Sequence, residues 1–231
     1  VAWFSAYGQS HWVVLAITVL GAAALVLAGR RASGGVALGC SWGLASVIVA
    51  LNVTMQVWAF DPADPAVSLP LQISDLAPYA SAIALVTRRP WAAALTYYWG
   101  ITLSTQALLT PVLNAPDFPG VEFIAFFAIH VLVVWAAIFL TWGLGVRPTW
   151  WSYRFTLAVT VCWAAVMFLF NAHTGSNYGF LNRKPSTGSI LDLLGPWPWY
   201  LLPEFGLIVL AWAIMTWPWH RRTVRTGTLV E

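Results

Sequence analysis

The sequence predicts an all-α, polytopic membrane protein: a bundle of seven transmembrane helices with the N-terminus outside and the C-terminus cytoplasmic. Three observations lead there. Charged residues are 8% of the 231 and the mean hydropathy is +0.74. The apolar residues gather into seven runs, each close to the roughly 20 residues needed to cross hydrocarbon. The cations fall on one side of those runs. In lipid every backbone polar group must pair internally, which leaves helices or closed barrels. Alternating ten-residue blocks, the mark of a barrel, are absent.

The runs are 11–29, 36–59, 70–87, 91–113, 122–142, 149–171 and 199–218, within one transmembrane domain spanning 1–231. The first has no basic leader and no small-residue cleavage site, so it reads as a span. Arg30 and Arg31 follow it, Arg88 and Arg89 follow the third, Arg147 and Arg154 flank the start of the sixth, and Arg221, Arg222 and Arg225 close the chain. An outside N-terminus puts these nine in the cytoplasm and leaves only Arg183 and Lys184 outside, which is the positive-inside pattern. Asp61, Asp64, Asp75, Asp117, Glu122, Asp192 and Glu204 lie at the opposite ends, and only Glu231 lies with the cations. Tryptophans cluster near span ends, as amphipathic rings do at headgroup level. A net charge of +3, tied to helix ends, does not point to nucleic acid. Cys40 and Cys162 both fall inside spans, so no disulfide is expected. The location read from this pattern is the plasma membrane, multi-pass.

Prolines subdivide the spans. Pro78 cannot donate to the Ser74 carbonyl, and Pro111 and Pro203 are expected to bend the fourth and seventh spans near the same side. The loop 172–198 carries Gly175, Gly179 and Gly195 and a short amphipathic stretch, Ile190–Leu194. It is expected to fold back as an outer lid.

Polar groups are costly in hydrocarbon and mark sites, and here they sit mostly in the outer halves of the spans. Asn52 and Gln56 are one helical turn apart on one face. Gln72, Ser74 and Asp75 open the third span, and Thr105 and Gln106 lie in the outer half of the fourth. His130 lies eight residues inside Glu122, about 12 Å deeper at 1.5 Å per residue. Asn171, His173, Asn177 and Tyr178 follow the sixth span, and His11 begins the first. Two readings stand: an outward-facing pocket, or interhelical hydrogen bonds that hold the bundle together. Arg183 and Lys184 are positioned to meet a lipid phosphate or unspecific headgroups.

The segments Leu69-Pro70-Leu71-Gln72-Ile73-Ser74-Asp75, Leu108-Leu109-Thr110-Pro111, Phe126-Phe127 with His130, Asn171 through Pro185, and Leu194-Gly195-Pro196-Trp197-Pro198-Trp199-Tyr200 resemble the YwaF-like integral membrane proteins, bacterial relatives of the transmembrane protein 164 family. The resemblance covers almost the whole chain. It implies lipid acyl transfer of the kind described for the eukaryotic branch, by a cysteine nucleophile and a histidine. His130 matches that histidine by its place in the fifth span, and Ser74 stands where relatives place the cysteine. Serine needs an adjacent base to become nucleophilic.

The leading expectation is a lipid acyltransferase or esterase acting on an outer-leaflet phospholipid. Ser74 attacks, His130 is general base, Asp75 or an amide orients the imidazole, and Gln72, Asn171 or Asn177 stabilises the oxyanion. No cofactor and no metal are expected. A metal hydrolase built on His11, His130, His173 and Asp75 is a lesser alternative, because the paired-histidine spacing of such enzymes is missing. The non-enzymatic alternative is a lipid-binding protein or an accessory subunit of a larger membrane complex, with a membrane-protein partner or a second copy of the chain. A transporter fits poorly, because the inner halves lack a polar path.

Overall fold

The computed structural model describes residues 2–185 and 190–227. The 186–189 part of the expected lid and Glu231 lie outside the described residues, as do the side chains of Arg221, Arg222 and Arg225. In chain order the helices are α1 (Gln9–Arg31), α2 (Gly34–Ala59), the single turn α3 (Pro65–Ser68), α4 (Ile73–Thr87) and α5 (Pro90–Tyr98). A π-helical stretch, Trp99–Ser104, joins α5 to α6 (Thr105–Leu109). Then come α7 (Val121–Ile138) with a second π-helical stretch, Phe139–Gly143, α8 (Trp150–Thr174) and α9 (Leu201–Gly227).

The chain is an all-α, polytopic helical membrane protein. Among the described residues, five helical segments are long and apolar enough to cross a bilayer: α1, α2, Val121–Gly143, α8 and Leu201–His220 within α9. The other two expected spans take different forms. α4 has 15 residues, and the run through α5 and α6 is interrupted by its π-helical stretch. The prolines explain several boundaries. Pro90 occupies the first turn of α5, where no N–H is needed. Pro78 lies inside α4 and is buried. Pro111 does not bend a helix: α6 has already ended at Leu109, and Thr110 leaves helical geometry at φ −128°. Pro203 falls in the first turn of α9, where a missing N–H breaks no bond, and the proline inside α9 is Pro218.

The chain forms two compact units. The first comprises Val1–Phe60 and Ile73–Val146. α7 is its centre, packing against α1, α2, α4, α5 and the first π-helical stretch. About half of its apolar stretch is buried, whereas that of α1 contains few fully buried residues. Lipid tails are as apolar as leucine, so helices associate here through close fit and small residues. The indole of Trp135 lies across Gly21, where a Cβ would come within 2.0 Å of it, and its Nε1 donates to the Thr18 carbonyl at 2.9 Å. Gly29 faces Gly143, with 2.9 Å between a hypothetical Cβ and the partner Cα. Gly100 of the π-helical stretch leaves 3.0 Å for a Cβ against Ala137. An N-terminal strap closes this unit: the Phe4 N–H donates to Ala115 O at 3.0 Å and the Asp117 N–H to Ala2 O at 2.8 Å. Phe4 packs against Phe123 and Phe127.

The second unit comprises Asp61–Gln72 and Arg147–Glu231. α8 begins with a reciprocal capping box between Thr149 and Ser152, satisfying two N–H groups that helix starts leave orphaned. It ends at Gly175, whose φ of +76° suits the left-handed cap. The expected amphipathic stretch Ile190–Leu194 forms a 3₁₀ turn.

Candidate functional site

In the first unit the polar residues of the third expected span meet those of the second. Asn52 Nδ2 and Gln56 Nε2 both donate to the Asp75 carbonyl at 3.3 Å, and Tyr79 Oη donates to Gln56 Oε1 at 2.5 Å. Pro78, one turn further on, cannot serve the Ser74 carbonyl, the neighbour of the carbonyl that takes both amides. Asn52 is buried at 5% exposure. The pair predicted to share a face does so, and its amide donors bind backbone.

His130 sits in the middle of α7 and is 8% exposed. Its Nδ1 lies 2.6 Å from the Phe126 carbonyl. A carbonyl only accepts, so Nδ1 carries the proton and the neutral ring presents its lone pair at Nε2. Nε2 has no hydrogen-bond partner among the described residues. The ring is packed against Phe126, centroids 4.6 Å apart. The orienting group is thus the Phe126 carbonyl, not Asp75. Ser74, in the first turn of α4, is exposed, and its hydroxyl makes no hydrogen bond among the described residues, His130 included.

Thr105 Oγ1 reaches back to the Gly100 carbonyl at 3.4 Å, serving a group that π-helical geometry leaves poorly paired. Gln106 is exposed. One added residue per π turn rotates the remainder of the helix by about 100°, which carries Gln106 off the face that a regular helix would give it.

His11, which begins the first expected span, has a structural role that sequence reasoning does not assign. It is fully buried, its Nδ1 accepts the Tyr7 N–H at 2.8 Å, and its Nε2 donates to the Leu108 carbonyl at 2.7 Å. Tyr7 Oη donates to the next carbonyl, Leu109, at 2.8 Å. Together they cap the C-terminus of α6, whose last carbonyls lack helical partners. Phe4, Tyr7 and Phe127 surround the ring.

The second unit holds a separate polar network. Asn171 Oδ1 accepts from the Tyr178 N–H at 2.8 Å and the Ser176 hydroxyl at 2.9 Å. Its Nδ2 donates to Tyr178 O at 3.0 Å and to Asn182 Oδ1 at 2.9 Å. All four capacities of this amide are therefore occupied. Asn177 Oδ1 accepts from the Asn182 and Arg183 N–H groups, and its Nδ2 donates to Arg183 O. Gln72 Oε1 accepts the Gly179 N–H at 2.9 Å, Tyr178 Oη donates to Leu69 O at 2.8 Å, and Trp163 Nε1 donates to Leu71 O at 2.9 Å. Tyr200 Oη bonds the Phe180 carbonyl. Gly179, at φ +66°, lies under Trp163, leaving 2.5 Å for a Cβ. Arg183 donates to Gly175 O. Lys184 pairs with Asp192 at 3.5 Å and lies over the Tyr200 ring. His173 is exposed in the last turn of α8. Among the described residues no three of His, Cys, Asp and Glu gather closely enough to hold a metal ion.

Sequence reasoning misses Tyr79, Trp163 and Asn182. The recurrence of asparagine at 171, 177 and 182 is the one available signal for the loop network. The backbone partners of the other two leave no trace in a sequence.

The fold defines the class as an all-α, polytopic membrane protein. The model of the TMEM164 family matches residues 6–216, nearly the whole chain, and the protein belongs to that family. No curated protein and no solved structure matches the chain.

Proposed function

We propose that the protein is a lipid acyltransferase or lipid esterase of the plasma membrane, acting on phospholipids from the outer leaflet, with His130 as general base and Ser74 as nucleophile. One observation carries the reading. The Phe126 carbonyl fixes the His130 tautomer so that Nε2 offers a lone pair, and no neighbour among the described residues consumes it. A general base needs that state.

In the proposed reaction Nε2 takes the Ser74 proton as Oγ attacks the ester carbonyl of a phospholipid. The tetrahedral adduct collapses to an acyl-serine, and the departing lysolipid alkoxide receives the proton from the imidazolium. Transfer repeats the steps in reverse with an acceptor alcohol, and water in that place gives hydrolysis. Ser74 and Nε2 must close to hydrogen-bond distance when lipid binds, as catalytic pairs loose without substrate do. Asp75, at the mouth of α4, is assigned to the electrostatics of that approach. Asn52 and Gln56 hold the proline-containing helix in place. Asn171, Asn177, Tyr178 and Gln72 are assigned to keeping the outer loop folded rather than to an oxyanion hole, and Arg183 and Lys184 to a headgroup phosphate. The topology proposed with this is seven crossings, N-terminus outside and C-terminus cytoplasmic, which the placement of the arginines supports.

The test is lipid turnover by the purified chain in phospholipid vesicles, with Ser74→Ala and His130→Ala compared separately. Turnover falls to background in both if the reading holds, and undiminished turnover in either removes that residue. The alternative, a non-catalytic lipid-binding or accessory subunit, is favoured by the exposure of Ser74 and the absence of a Ser74–His130 hydrogen bond. Stoichiometric copurification of a partner, without turnover by the isolated chain, would establish it.

A further inference from the structure

The four arginines of the first unit, Arg30, Arg31, Arg88 and Arg89, lie at the α1–α2 and α4–α5 connections, while Asp75 and Glu122 lie in the first turns of α4 and α7 and Asp117 precedes α7. Two of the arginines are tied to neighbouring elements: Arg30 Nε donates to the Trp142 carbonyl at 3.1 Å, and Arg88 Nη2 donates to Ser41 Oγ at 2.7 Å. None of the four has an ion-pair partner among the described residues.

Arg30, Arg31 and Arg89 are exposed, as cations at a membrane surface usually are. Arg88 differs in three ways. It is half-buried, and its backbone takes φ +55° in the tight connection between α4 and α5, a region that side chains rarely adopt. Its guanidinium is held by a fully buried serine whose own hydroxyl proton goes to the Ala37 carbonyl at 2.7 Å, so that Ser41 is an acceptor fixed in place. Its Nη1 is buried and has no acceptor. Burial pushes Arg88 below the ordinary guanidinium value. A charged donor that is desolvated and unpaired is destabilising, and its natural complement is an oxyanion with several acceptor positions, which a guanidinium fork meets with two parallel bonds.

We propose that Arg88, oriented by Ser41 and followed directly by the exposed Arg89, anchors a phosphate-binding site at the α4–α5 connection of the first unit, taking the phosphodiester of an anionic lipid headgroup or a free phosphate ion. The ligand's oxygens accept from the Arg88 donors that Ser41 does not use. The adjacent Arg89 adds attraction without geometry. This site lies at the opposite end of α4 from Ser74, so it is independent of the chemistry proposed there.

The test uses the full chain in nanodiscs of phosphatidylcholine doped with phosphatidylglycerol, with retained lipid counted by native mass spectrometry, and a parallel titration of the detergent-purified chain with inorganic phosphate read by thermal shift. The wild type should retain phosphatidylglycerol over phosphatidylcholine, and Arg88→Gln should lose about tenfold of that preference, the loss of one charge-assisted hydrogen bond. Arg89→Gln, which removes the same charge, should lose clearly less. A thermal shift with phosphate in the wild type but not in Arg88→Gln, with no lipid preference in either, identifies free phosphate as the ligand. Equal lipid retention and equal phosphate response in wild type and Arg88→Gln overturns the site, as does an equal loss in Arg88→Gln and Arg89→Gln. If Arg88→Gln fails to fold, Ser41→Ala frees the guanidinium while keeping its charge. It should weaken retention several-fold, and unchanged retention there overturns the proposal.

Discussion

The surroundings of His11 and His130 use the same side chain in opposite ways. Both rings are buried against phenylalanines in the first unit, and both bond a backbone carbonyl. At His11 the second nitrogen is also taken, by the Tyr7 N–H, so the ring is a fixed link between the N-terminal strap and the end of α6. At His130 the second nitrogen has no partner among the described residues. Burial and residue type therefore do not separate a structural histidine from a chemical one. The distinction lies in whether a lone pair is left over.

Substitutions should divide along that line. The largest expected effect is on turnover: His130→Ala should lower it about 10²–10⁴-fold, the range for removing a general base, with a smaller loss of stability than a His11 variant, since one hydrogen bond is removed rather than two. A drop in midpoint as large as that of a His11 variant would place His130 in the structural class. His11→Ala should do the reverse. It strands the Tyr7 N–H and the Leu108 carbonyl and empties a packed site, costing about 2–4 kcal/mol, while turnover per folded molecule stays near wild type. Chemical denaturation in detergent reads the first quantity and a turnover assay the second. Asn171→Ala extends the comparison to the second unit. An amide with all four capacities occupied should behave like His11, losing about 2–4 kcal/mol and exposing the 176–182 loop to protease. Asn52→Ala removes one of two amides on the Asp75 carbonyl and should cost about 0.5–1 kcal/mol, the scale of interhelical hydrogen bonds in membranes. Gln106→Ala, on an exposed side chain, should change stability by less than about 0.5 kcal/mol. A larger loss would mean that Gln106 has a partner on the face where it now lies exposed.

The helices are legible because hydrophobic run length reports directly on the thickness to be crossed: the expected runs 36–59 and 122–142 differ from α2 and Val121–Gly143 by no more than two residues at either end. The interruption after Tyr98 is not legible: Gly100 there lies close against Ala137 and Val133, a tertiary contact that a sequence does not display. That misplaces Gln106. A bend at Pro111 is expected only if α6 runs on to residue 113, which it does not. Asn52 and Gln56 are correctly placed on one face, because helical periodicity fixes it, but their partner is a main-chain carbonyl that any sequence would supply. The same blindness hides the role of His11, whose ligands are the backbone of Tyr7 and Leu108. Side-chain identity gives donors and acceptors, whereas which of them remain uncommitted depends on where the backbone passes.

The most direct measurement is reaction of the intact protein with a fluorophosphonate, which labels only activated serines, with mass spectrometry of the peptide containing Ser74. Labelling of Ser74 in the wild type, lost in His130→Ala and kept in a folded His11→Gln variant, is the expected result. Labelling of Ser74 that is indifferent to His130, or lipid turnover with Ser74 unlabelled, would contradict the assignment of Nε2 as the base.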